Sequence, residues 1–204
     1  MAVLPIHVLG SPVLRQETVP VVKITPELQR LADDMLETMH AAKGVGLAAP
    51  QVGRTERLAV VEVEGVQHVL FNPEIVSREG EIKWEEGCLS IPEVYGDVVR
   101  SARVTVRARD REGNPFEIEG TELLAVCLQH EIDHLHGKLF IDHLSFLKKR
   151  RAMSEWEDEK ANFPDFIRDL SLEKFDKDDA GRDAGKAAGE RAGGDGNRDS
   201  AGLL

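Results

Sequence analysis

The sequence is poor in the residues that mark several classes of protein. It has two cysteines among 204 residues and only 5% aromatic residues, which excludes a small secreted scaffold held together by disulfides. No apolar run approaches the roughly 18 residues that span a bilayer, so we expect no membrane segment. The first residues also lack the basic start of a signal peptide. We therefore expect a cytoplasmic protein whose core is filled by aliphatic side chains.

Basic residues are also scarce relative to acidic ones. Lysine and arginine total 26 against 37 aspartate and glutamate residues, for a formal charge of −11. A protein that grips nucleic acid over its whole surface needs a basic face. The composition therefore predicts no DNA binding.

The composition changes near the C-terminus. Residues 176–204 contain seven glycines and six alanines but no valine, isoleucine, phenylalanine, tryptophan or tyrosine. Such a segment buries too little apolar surface to offset its chain entropy, so we predict a disordered tail over 176–204. Before it, Pro164 can open a short helix that carries Phe166, Ile167 and Leu170, and we predict a helical extension over 162–175.

The rest of the chain has the pattern of an α+β domain. Thr25 and Pro26 predict a helix start, residues 121–136 predict a second helix closed by Gly137, and a third helix is expected from about Ser145. Strand patterns occupy 58–63, 68–71, 81–85, 102–109 and 116–119, the last two forming a hairpin around the turn at 110–114. We expect antiparallel strands packed around a central helix, with an N-terminal and a C-terminal helix.

The strongest chemical signal is the segment His130-Glu131-Ile132-Asp133-His134 on the second predicted helix. Residues four apart share a helix face, so both imidazoles can bind one metal ion and leave Glu131 beside it as a general base. The pattern therefore predicts a metal-binding central helix.

A hydrolytic metal site needs a third protein ligand. Phe140 stands where a metzincin has its third histidine, which excludes that class, while Glu155 or Glu157 could serve as in thermolysin. Cys127, His130 and His134 would lie along one straight stripe of the helix, and ligands in that arrangement would not surround a metal ion tetrahedrally. We therefore interpret Cys127 as a core residue. Cys88 follows a predicted strand, where a loop can deliver a thiolate to a neighbouring helix, but one cysteine alone is weak evidence.

Three segments together resemble the bacterial peptide deformylases. Residues 44–51, Gly-Val-Gly-Leu-Ala-Ala-Pro-Gln, resemble the first motif of that family, residues 86–90, Glu-Gly-Cys-Leu-Ser, its second, and residues 129–137 its third. Their order and spacing also fit the family. The resemblance implies a catalytic domain over 1–161. The glycine pair of the first motif follows a helix rather than a strand, so we do not interpret it as a dinucleotide site.

The resemblance implies a metal-dependent hydrolase that removes the N-formyl group from the formyl-methionine of newly synthesised polypeptides and releases formate. It implies one divalent metal ion, Fe(II) in cells with Zn, Ni or Co as substitutes. It also implies roles for individual residues: metal ligation by Cys88, His130 and His134, acid/base catalysis by Glu131, and oxyanion binding by the Gln51 amide and the Leu89 backbone N–H. Main-chain substrate contacts are implied for Val45, Gly46 and Gly87, and a methionine pocket for Leu123, Val126 and Cys127.

Some features depart from the family pattern or leave alternatives open. Tyr95 stands where one bacterial branch has an arginine that contacts substrate, so its contact is an open question. The basic residues Lys148, Lys149, Arg150 and Arg151 could make a transient ribosome contact, although a solvated helix face is the simpler interpretation. Two other functions stay in competition: a thermolysin-like metallopeptidase and a catalytically silent, metal-binding member of the family.

Overall fold

The computed structural model describes residues 2–170, and within them three α-helices and nine strands. The helices are α1 (Pro26–Ala41), α2 (Glu122–Leu135) and α3 (Phe146–Glu159). The strands are β1 (Ile6–His7), β2 (Gly46–Ala48), β3 (Leu58–Val63), β4 (Val66–Glu79), β5 (Ile82–Cys88), β6 (Ile91–Arg100), β7 (Arg103–Arg109), β8 (Pro115–Thr121) and β9 (Ile167–Arg168). No helix in this range is long and apolar enough to cross a membrane.

Helix α1 begins where its capping residue predicts. The Thr25 hydroxyl accepts a hydrogen bond from the Leu28 backbone N–H at 3.3 Å, and Pro26 takes the first helical position, where no N–H is needed. Its apolar face is buried in a core cluster that also contains Leu47, Leu58 and other strand residues. This packing fixes the segment that follows the helix and leads into β2.

Helix α2 is the buried centre of the fold. Its residues from Ala125 to Ile132 are all buried, as expected for a helix that is apolar on most sides. It packs against β2, β3 and β8. The central helix predicted from the sequence is therefore confirmed.

The strands form three antiparallel sheets. The largest has the order β2-β3-β4-β7-β8, with the predicted hairpin between β7 and β8. Strands β5 and β6 form a separate hairpin, and β1 pairs with β9. Mixed helices and antiparallel strands confirm the α+β class.

Two local expectations were wrong or incomplete. Residues 91–100 form β6, which was not predicted because Pro92 and Gly96 interrupt the strand pattern. The helix expected from Pro164 is instead a 3₁₀ turn over Pro164–Phe166, followed by β9. The rest of the predicted helical extension and the tail at 176–204 lie outside the described residues, and the domain boundaries stay predictions.

Candidate active site

The β5–β6 hairpin presents Cys88 to helix α2. The register shifts between Glu86 and Cys88, and Cys88 then pairs with Ile91 across a two-residue turn. A shift of this kind re-aims the side chain at the end of a strand. As a result, the Cys88 Sγ atom lies 3.3 Å from Nε2 of His134.

Three donor atoms from two elements meet at this point. The Nε2 atoms of His130 and His134 lie 3.2 Å apart, and the Cys88, His130 and His134 donors all lie within 4.8 Å of one another. Donors bound to one ion at 2.0–2.3 Å in a tetrahedral site are separated by about 3.3–3.8 Å. The spacing and the donor types therefore fit a metal ion with Cys and His ligands.

The protonation of these groups in the protein alone supports that fit. Burial raises the pKa of the Cys88 thiol, and the nearby Glu131 and Glu86 carboxylates raise it further. Burial lowers the pKa of His134 well below its ordinary value. A neutral imidazole is ready to bind a metal, while the thiolate needs a cation close by to form.

Glu131 lies beside these donors on helix α2. It is completely buried, and neither carboxylate oxygen has a hydrogen bond within the described residues. Burial raises its pKa well above the ordinary value, Glu86 adds to the rise, and Arg100 opposes it. A buried polar group without a partner is costly, so this carboxylate is held ready for a ligand or a reacting molecule.

The Gln51 side chain points its amide toward the same place. Its Oε1 accepts a hydrogen bond from the Ala48 N–H at 2.8 Å, which fixes the amide orientation. Its Nε2 donates to the Ser90 hydroxyl at 3.2 Å and lies 3.8 Å from the Cys88 Sγ. Leu89 is buried in the turn between Cys88 and Ser90, so the residues of all three sequence motifs meet at one site.

A model of the polypeptide deformylase family matches residues 3–150 of this chain. The chain belongs to that family. The peptide deformylase of Alkalilimnicola ehrlichii is 53% identical over 161 residues, which cover 77% of this chain and 90% of the relative. That of Hydrogenovibrio crunogenus is 52% identical over 151 residues, with 72% of this chain and 89% of the relative covered.

Solved structures of family members have the same fold. The peptide deformylase of Legionella pneumophila matches with a TM-score of 0.76 at 51% identity, over 78% of this chain and 96% of that one. The Synechococcus elongatus enzyme, solved in complex with actinonin, matches with a TM-score of 0.72 at 43% identity, over 74% and 85% of the two chains. The identification of this chain as a peptide deformylase, made from three motifs, is confirmed.

In this family member a buried ion-pair network supports His130, and the sequence alone did not predict it. Glu86 Oε2 lies 2.9 Å from His130 Nδ1, and Arg100 donates to both Glu86 oxygens at 2.7 and 2.9 Å. Asp133 contacts Arg100 and accepts from His143 at 2.7 Å. Glu86 is therefore the residue that contacts His130 directly and orients its ring. Its sequence signal was the alternation of β5, which turns Glu86 inward.

Of the residues expected to bind substrate, Gly46 of β2 lies directly against Glu131. A Cβ atom on Gly46 would lie 2.3 Å from Glu131 Oε1, so only glycine lets the β2 backbone approach this closely. Cys127 is buried, and its thiol contacts the Val45 carbonyl at 3.5 Å. Val126 and Leu123 belong to the same apolar cluster, the first completely buried and the second partly. Gly87 precedes Cys88 at the end of β5.

Three other residues lie away from the donor cluster. Glu155 pairs with Arg151, and Glu157 with Lys160, on the surface of α3; neither belongs to the metal-binding group found among the described residues. Tyr95, which is 42% exposed, lines a cavity of about 390 Å³ between the β5–β6 hairpin and α3. Among the described residues, the third member of the donor group is therefore Cys88 and neither of these glutamates.

Proposed function

We propose that this chain removes the formyl group from the N-terminal formyl-methionine of nascent polypeptides with the residues of this site. The observation that carries the proposal is the convergence of the Cys88, His130 and His134 donors beside the unpartnered carboxylate of Glu131. A purely structural metal site uses four protein ligands and has no need of a free base. That difference argues against the silent metal-binding alternative.

Cys88, His130 and His134 would hold the divalent cation. Bound there, it would supply Lewis acidity that polarises the formyl group and makes a water molecule more acidic. Thiolate and imidazole ligands accept Fe(II), Zn, Ni and Co alike; we propose Fe(II) in the cell. The cytoplasm, which is reducing and holds the nascent chains, is the compartment that we propose.

Glu131 would move the proton of the reaction. Its free carboxylate can accept a proton from the attacking water and later deliver it to the leaving amine of methionine, which frees formate and the new N-terminus. The raised pKa of the buried carboxyl favours the first of these transfers, because a more basic carboxylate takes the proton from water more readily.

Gln51 and Leu89 would hold the oxyanion that develops on the formyl group. The Gln51 amide is fixed by its bond to Ala48, so it needs no reorganisation during the reaction. A side-chain amide and a backbone N–H are neutral donors, and loss of one such donor costs about 2.7–4 kcal/mol of barrier.

The substrate backbone would add to the outer edge of β2. This strand pairs with β3 on one side and has no strand partner among residues 2–170 on the other. Val45, Gly46 and Gly87 would supply main-chain contacts in the manner of strand addition. The side chains of Leu123, Val126 and Cys127 would line the methionine pocket, in the apolar cluster next to β2.

Formate release from formyl-Met-Ala tests these roles. We expect Cys88→Ala to lose metal and activity, and Glu131→Ala to keep metal but lose activity by 10²-fold or more, as for a general base. Cys127→Ala is the matched control for metal content, since its thiol is buried but outside the donor group. A fully active Glu131→Ala enzyme would contradict the mechanism. Cleavage of unformylated peptides without need of Cys88 would favour the thermolysin-like alternative.

Transient ribosome contact is a separate part of the proposal. Three of the four basic residues are engaged in surface ion pairs, Lys148 with Asp97, Lys149 with Asp142 and Arg151 with Glu155. Such pairs are worth little and can exchange for phosphate. Charge reversal at residues 148–151 should abolish salt-dependent co-sedimentation with ribosomes; unchanged co-sedimentation would leave the cluster as a solvated helix face.

A further inference from the structure

Residues 163–170 lie beyond the region that the family model matches, yet they are built into the fold. Phe163 stacks on Trp156 of α3 with ring centroids 5.9 Å apart. After the 3₁₀ turn, β9 pairs with β1 through Ile6 with Arg168 and His7 with Ile167. Leu170 is only 4% exposed and belongs to the core cluster around α1.

Phe166 contacts the segment just after β1 with both its backbone carbonyl and its ring. Its carbonyl accepts a hydrogen bond from the Val8 N–H at 2.9 Å. Its ring packs so closely over Gly10 that a Cβ there would lie 2.2 Å from the ring Cε1. Both Phe166 and Asp165 have left-handed backbone conformations, with φ of 57° and 55°. Such strain persists only where surrounding contacts hold the backbone in place.

Residues 8–10, which Phe166 contacts, are bonded to the turn that follows Cys88. The Leu9 N–H donates to the Ser90 carbonyl at 2.8 Å. The Ser90 hydroxyl accepts from the Gln51 amide at 3.2 Å. A short path of contacts therefore runs from Phe166 through residues 8–10 to both groups that we propose for oxyanion binding.

We propose that Phe166 is a positioning residue for the Cys88–Leu89–Ser90 turn, acting through Val8, Leu9 and Gly10. This inference rests on the oxyanion roles proposed above for Leu89 and Gln51. The C-terminal segment is then an accessory to catalysis that the chain adds to the family domain. Loss of the Phe166 contacts would displace the oxyanion-binding groups of Leu89 and Gln51 without removing either group.

The test compares Phe166→Ala with Phe163→Ala in the full-length, metal-loaded protein. Phe163 is the matched control because it lies in the same segment but packs on Trp156. We expect Phe166→Ala to lower kcat for formyl-Met-Ala by about tenfold with little change in KM, since small misplacement of catalytic groups acts on the transition state. Amide hydrogen exchange at Leu9 should quicken in the same variant. Phe163→Ala should change neither readout.

Each outcome decides the proposal. Unchanged kcat and Leu9 exchange in Phe166→Ala would overturn it, and an equal fall of kcat in Phe163→Ala would show that the segment acts only through general stability. If Phe166→Ala does not fold, Phe166→Leu is measured in the same way, with a smaller change of the same sign expected. Gln51→Ala separates the two proposals: full activity there contradicts the oxyanion role, while Leu9 exchange still reports on Phe166.

Discussion

Replacement of Arg100 by alanine is the most informative single change that the site offers. The Arg100 side chain is 4% exposed and the Glu86 side chain 0%. Its guanidinium bonds both Glu86 oxygens and contacts Asp133. Arg100→Ala therefore leaves the Glu86 carboxylate in the interior, next to His130, without its cation.

Two independent arguments give the size of the effect. Burial raises the pKa of Glu86, but hydrogen bonds from Arg100 and His130 outweigh it and hold the pKa at about 2, against an ordinary 4.5. That difference corresponds to about 3 kcal/mol. Removal of one partner from a buried ion pair costs about 3–5 kcal/mol. We expect a loss of about 3 kcal/mol in the free energy of unfolding.

The assay is urea unfolding, together with measurement of the metal dissociation constant. Affinity should weaken by about 10–100-fold, because Glu86 orients the His130 ring. Arg107→Ala is the control: Arg107 makes two bonds to Glu117 at 3.0 and 2.8 Å, but its side chain is 58% exposed. An exposed pair of this kind should be worth below about 1 kcal/mol.

A second substitution makes the reasoning refutable. Glu86→Gln should destabilise the otherwise unchanged protein, yet recover stability in the Arg100→Ala background, since it removes the uncompensated charge there. If Glu86→Gln destabilises both backgrounds equally, or if Arg100→Ala costs no more than Arg107→Ala, the buried charge is not what Arg100 stabilises.

Three further changes have expected outcomes. Gly46→Ala would place a Cβ 2.3 Å from Glu131 Oε1, so kcat should fall by about 10²-fold; formate release measures this, and an unchanged rate would contradict the close approach. Glu131→Gln should keep the metal, as checked by metal analysis, while kcat falls by about 10²–10⁴-fold. The pKa of Asp142 is held at about 2, against an ordinary 3.8, since bonds from Arg15 and Lys149 outweigh burial. Its folded pKa is depressed, so its stabilisation is complete above pH 3.8 and is lost as the pH falls through about 2. Asp142→Asn should remove about 1–2 kcal/mol from the free energy of unfolding at pH 6 but little at pH 2, measured by urea titration.

The parts of the fold that could be predicted carry local signals. Thr25 and Pro26 predict the start of α1. The predicted limits of α2, 121–136, lie within one residue of Glu122–Leu135. The two histidines of α2 converge because a helix turns by a fixed angle per residue. The family resemblance supplied Cys88 as the third ligand, since no pattern local to Cys88 distinguishes a ligand from a core cysteine.

The parts that could not be predicted depend on contacts between distant residues. Glu86 and Arg100 are 14 positions apart, and they meet only because β5 and β6 pair in one register. The sequence near Pro164 favours a helix. However, residues 167–168 pair with β1, some 160 positions earlier, and form β9. A tertiary partner of this kind outweighs local propensity.

Under the strand addition proposed above, the length of β2 limits how many residues of a substrate the strand can bind. At three residues and about 3.3 Å each, this edge offers roughly 10 Å of ladder to an incoming chain. That suffices for the first residues after the formyl group and no more, so the enzyme should accept nascent chains whose later sequences differ widely. An edge this short is also a poor template for sheet growth between copies of the protein. Broad tolerance of substrate and resistance to self-association then have the same origin.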